Sequence, residues 1–211
     1  MIRFIFTLFL LLISISINAQ RWTPSDPIGW RLEYSSGTIL KFTSNNEPYF
    51  EFPGRRGSVN MLTKHWDGAA TGTLDITIKI TTVDNLIFNL TKNSGSCSNP
   101  PAARPWLAVT NWESTTDIED QWSRWWSRYI FMPLRYAETV NLSVPLLPSF
   151  WSNVNGQLGD SSAELSNGFI NTIISGGRLG LVFGGGCSYG HGIYVTGGKA
   201  TLTVLGYNVT L

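Results

Sequence analysis

Nine tryptophans, at positions 22, 30, 66, 106, 112, 122, 125, 126 and 151, are the side chains of this sequence best suited to recognition chemistry. An indole offers a flat apolar face and one N–H donor. The C–H face of a sugar ring packs on such a plane, while carboxylates, amides and guanidinium groups bond its hydroxyls. Trp112 lies in the polar stretch Asn111-Trp-Glu-Ser-Thr-Thr116, with Glu113 and Asp117 beside it. Trp125 follows Arg124 and precedes Arg128 by three residues. Trp112 and Trp125 are therefore the expected stacking platforms, and Asp120, Arg124, Tyr189 and His191 the expected hydrogen-bonding groups around them. Trp106 and Trp126 are assigned to the core.

Catalytic signals are thin. Glycoside cleavage needs two carboxyl groups held a fixed distance apart across the scissile bond. Asp117, Glu119 and Asp120 fall within four residues, and Glu47 and Glu51 flank Pro48-Tyr-Phe50, but neither group forms a motif. No GxSxG or HExxH occurs. The two histidines, His65 and His191, have no nucleophile at a telling spacing. The run Gly184-Gly-Gly-Cys-Ser-Tyr-Gly-His-Gly192 is no dinucleotide fingerprint, because Tyr189 stands where a third glycine is required. Its glycines suit tight turns. His191, between two glycines, has little neighbouring side chain to hide beneath.

Charge is scarce: Lys, Arg, Asp and Glu make up 14% of the 211 residues, and the formal net charge is +1. That balance excludes a nucleic-acid binder working through a basic surface. Ordinary disorder is excluded as well, because 43% of the chain is hydrophobic.

The first twenty residues, MIRFIFTLFLLLISISINAQ, read as a secretory signal peptide. Arg3 is the positive head, Phe4 to Ile17 the apolar run, and Ala19 the small residue at the expected cut, giving residues 1–19 as signal. The run is too short for a comfortable membrane span, and no later stretch is long enough for one. A secreted protein is expected, extracellular or, in a bacterium, periplasmic. Residues 20–211 are then a single domain.

In an exported protein the two cysteines, Cys97 and Cys187, most simply form a disulfide. In the chain-entropy account, closing that loop contributes about 4 kcal/mol. The competing reading is a zinc site, in which His65 and Cys97 join Cys187 and His191. Zinc sites usually show closely spaced ligand pairs on both sides, and no metal is assigned.

The elements that must position these groups are mostly strands. Thr73 to Thr82 alternates cleanly, with Leu74, Ile76, Ile78 and Ile80 pointing one way. Asp84-Asn85 is a turn signal, so Leu86 to Leu90 is expected to return beside it as a hairpin. Further strands are expected at 38–43, 49–52, 58–62, 106–110, 140–144, 178–183, 192–196 and 200–209. One helix is expected over about 161–175. Ser161 and Glu164 form a capping box, Leu165, Phe169 and Ile173 recur at helical spacing, and Gly176-Gly177 ends the run. Asp117 to Arg128 is ambiguous. Trp122, Trp125, Trp126 and Tyr129 make a helical stripe, but the aromatic content favours a strand, which is the reading adopted.

These patterns predict an all-β chain, a two-sheet antiparallel sandwich of jelly-roll type with one short helix. The C-terminal part adds a resemblance. The strand and tryptophan turn Leu142-Ser-Val-Pro-Leu-Leu-Pro-Ser-Phe-Trp151 precede the helix. The glycine-rich run Leu179 to Gly192 and the last strand, Gly197 to Tyr207, follow it. Together they resemble the closing strands of galactose-binding-like jelly rolls found in carbohydrate-binding modules. They also resemble a group of exported bacterial proteins without assigned activity. The resemblance implies a β-sandwich, often with a glycan ligand and a structural calcium. The expected function is non-catalytic binding of a carbohydrate or surface glycan. The alternatives are a structural or adhesive protein that binds other proteins, and a glycoside hydrolase or lyase.

Overall fold

A computed structural model describes residues 29–68, 71–92, 100–110, 121–135, 138–185 and 190–210. The chain runs β1 (Trp30–Glu33), β2 (Lys41–Phe42), β3 (Pro48–Glu51), β4 (Met61–Trp66), β5 (Thr73–Val83), β6 (Ile87–Leu90) and β7 (Ala102–Val109). It continues through β8 (Arg124–Ser127), β9 (Met132–Pro133), β10 (Glu138–Pro145), a 3-10 turn at Pro148–Phe150 and β11 (Trp151–Ser152). Helix α1 (Ala163–Ser175), β12 (Gly177–Gly184), β13 (Ile193–Thr196) and β14 (Lys199–Thr210) complete it. No helix among the described residues is long and apolar enough to cross a membrane.

Two antiparallel sheets form a sandwich. The larger has the order β1-β4-β12-β7-β8-β11, with β9 paired to the end of β7; the smaller has the order β10-β5-β14-β3-β2. The alternation read from the sequence holds. Leu74, Ile76, Ile78 and Ile80 of β5 are buried, and their partners Leu142, Val144, Leu202 and Val204 line the same inner face. Leu62, Leu107, Trp125, Leu179, Leu181 and Phe183 face them from the larger sheet. This continuous apolar layer supplies the main driving force for the fold.

The expected hairpin between β5 and residues 86–90 does not form. Both edges of β5 are taken, one by β10 and the other by β14. A strand has only two edges to offer, so β6 turns away at Asp84 (φ 65°) and pairs with β13 in a separate ribbon. The strand reading of the tryptophan-rich segment holds over Arg124–Ser127, where β8 pairs with β7 and β11.

Tyr207 of β14 is buried, meets the Trp30 ring edge-on, and its hydroxyl has no hydrogen-bond partner among the described residues. Burial pushes its phenol well above the usual value of 10. The unfolded chain therefore ionises at this position as pH rises through about 10, while the folded chain does not. The contribution to stability is intact below that pH and is lost as pH rises above it. Tyr207→Phe is expected to lessen the loss of stability between pH 9 and pH 11, read from urea unfolding at both values.

Candidate functional site

The helix starts where its sequence allows a cap, one residue later than expected. Ser162, rather than Ser161, is the cap, and its Oγ accepts from the Leu165 N–H at 3.1 Å. Leu165, Phe169, Thr172 and Ile173 form the buried stripe. Gly176 (φ 69°) ends the helix in a conformation that glycine adopts without steric cost. The opposite, wet stripe carries Glu164, Asn167 and Asn171, all exposed.

Trp125 and Thr172 lock this helix to the start of β8. The Trp125 ring meets Phe169 edge-on, with centroids 5.3 Å apart at 88°. Its Nε1–H lies 3.2 Å from Thr172 Oγ1 and 3.3 Å from the Trp122 carbonyl. Thr172 Oγ1 is in turn 3.0 Å from that carbonyl and 2.9 Å from the Gly168 carbonyl. The network holds residue 122 against the middle of the helix, where Gly168 makes room for it. A Cβ at position 168 would sit 2.5 Å from Cε3 of the Trp122 benzo ring.

The result is an open groove of about 490 Å³ between α1 and the ends of β7 and β8. Its walls include Trp122, Val109, Ser123, Glu164, Asn167 and Asn171. Trp122 is half-buried: its ring is supported on the helix and partly open to solvent. Among the described residues, Glu164, Asn167 and Asn171 have side-chain donors and acceptors that the fold does not consume.

Of the residues expected to bind ligand, the described ones, Arg124, Trp125 and His191, do not converge. Trp112, Asp120 and Tyr189, with Cys97 and Cys187, lie outside the described residues. Trp125 is not a stacking platform, because it is fully buried and packs inward on Phe169. Arg124 is also buried, on the opposite face of β8, with its guanidinium 5.6 Å from the Trp126 ring centre. Trp126, expected in the core, lies half-buried on the outward face of the larger sheet, directly across from Trp106. Trp106 is buried there with Met61, Ala108 and Val182, apart from the main apolar layer.

His191 is exposed at the other end of the sandwich. Gly190 and Gly192 both bond the Phe183 carbonyl, six residues along β12 from Gly177, which pairs with Val109 of the groove. At the rise of an extended strand that is a separation of about 20 Å. Partial burial and the Lys92 charge lower the His191 pKa from its usual 6.5. The zinc reading fails on the same register. His65 pairs with Arg178, five residues along β12 from Phe183, and its Nε2 lies 3.2 Å from Asp67 Oδ1. The two histidines are thus about 17 Å apart along the sheet, too far to share one ion.

Sequence reasoning missed Trp122, Gly168, Asn167 and Asn171. The available signal was Gly168, a glycine in the middle of an amphipathic helix, which usually has a packing or functional reason. Gly168→Ala tests that reason. At an unobstructed helical site Ala is favoured over Gly by about 1 kcal/mol. Here the substitution is expected to displace the Trp122 ring and yield no such gain, as read by thermal unfolding and by the Trp122 indole resonance.

Comparison with protein-family models, with curated proteins and with solved structures finds no match.

Proposed function

We propose that this chain is a secreted, non-catalytic glycan-binding protein whose ligand site is the groove at Trp122. One observation carries the proposal. A half-buried indole, braced on a helix, stands beside two amides and a carboxylate that make no hydrogen bond among the described residues. A pyranose needs that combination: an apolar plane for its C–H face and fixed polar groups for its hydroxyls. One wall is helix α1, and the turn that carries Trp122 into β8 is tied to it by the Trp125–Thr172 network, which reduces the ordering required on binding. Export rests on the apolar N-terminal run with its small residue at position 19.

The geometry does not favour the hydrolase reading. Cleavage needs two converging carboxyl groups, and Glu164 is the only acid among the described groove residues. The test is a titration of the protein with a panel of soluble oligo- and polysaccharides, followed by tryptophan fluorescence and by an assay for new reducing ends. A saturable change with at least one glycan class and no new ends supports binding without catalysis. A flat response across the panel would overturn the proposal.

A further inference from the structure

We infer that the groove selects neutral over acidic glycans, and that Glu164 is the residue that sets this preference. The inference rests on the glycan reading above and adds to it the charge class of the ligand. Its basis is the sign of the charges around the Trp122 ring. Glu164 is exposed in the groove wall, on the same helix stripe as Asn167 and Asn171. The helix contains no lysine or arginine, and no basic residue lines the groove among the described residues.

A uronate or sulfate seated on Trp122 would therefore meet a like charge, with no compensating cation among the described groove residues. Neutral hydroxyls, by contrast, find an acceptor in Glu164 and paired donors and acceptors in the two amides. Glu164 also stands in the first helical turn, where a carboxylate offsets the exposed N–H groups. That placement lets the fold keep an acid at the rim of the groove.

Like charges about 4 Å apart in bulk water repel by about 1 kcal/mol, a factor of about five in affinity. The test compares matched ligands that differ only in charge, such as hydroxyethyl- and carboxymethyl-derivatives of one glucan, or a neutral polysaccharide and its sulfated form. Affinity electrophoresis and calorimetry on the full chain are expected to show weaker binding of the acidic member. Glu164→Gln is expected to narrow the gap about fivefold, and raised salt to narrow it in the wild type but much less in the variant. Circular dichroism checks that the variant retains its helix. Equal affinity for the two members in the wild type, or an unchanged gap in Glu164→Gln, overturns this inference while leaving glycan binding in place. Failure of every glycan, neutral and acidic alike, overturns the glycan reading itself.

Discussion

Trp125→Ala is expected to lower the free energy of unfolding by about 3–5 kcal/mol, the cost of deleting a large buried aromatic side chain. The substitution removes more than volume. The Trp125 ring fills the space between β8 and Phe169, and its N–H is one of the bonds that join the helix to the strand. Its loss leaves a cavity at the base of the helix and reduces the partners of the buried Thr172 hydroxyl. Urea unfolding at neutral pH measures the loss. A change below 1 kcal/mol would show that Trp125 is not the internal anchor described above. Trp125→Phe, which keeps most of the ring but not the donor, is expected to fall between the wild type and the Ala variant.

Trp122→Ala is expected to have the opposite profile. It should leave the sandwich folded, because the ring is only half-buried and stands at the end of the strands. Glycan affinity should fall by about 2 kcal/mol, roughly thirtyfold, as expected for truncating the central aromatic anchor of a binding site. Calorimetry with the best glycan of the panel measures the loss, and circular dichroism establishes that the fold is intact. A folded Trp122→Ala protein with wild-type affinity would place the binding surface elsewhere.

The contrast between these neighbouring tryptophans shows where the sequence was legible and where it was not. Strand alternation exposes β5 directly, because one face is apolar at every second residue and the other is polar. The helix is equally plain, through its apolar stripe and its Gly176-Gly177 end. Pairing was less legible. Nothing local in residues 73–90 shows that β10 and β14, from distant parts of the chain, occupy both edges of β5 and turn β6 away.

The tryptophan faces were misread for a related reason. In Arg124-Trp-Trp-Ser127 both faces of the strand are apolar or buried, so alternation carries no sign of which way is in. Register then decides. Trp125 pairs with Leu107 on the inner face, and Trp126 pairs with Trp106 on the outer face. Flanking arginines suggested exposure at Trp125, but Arg124 is itself buried over Trp126. The groove was hidden because its walls come from positions more than forty residues apart, Trp122 on one side and Asn167 and Asn171 on the other. Gly168 was its one local trace, a residue whose missing side chain is explained only by the indole above it.

The central claim is that Trp122 carries the ligand, and the most direct test follows the indole N–H resonances of the nitrogen-15-labelled protein during titration with a neutral glycan. The Trp122 signal, assigned by loss in Trp122→Ala, is expected to shift in saturable fashion. The Trp125 signal, buried and hydrogen-bonded, is expected to move far less. Saturable shifts confined to other indoles, with Trp122 unmoved, would contradict the account.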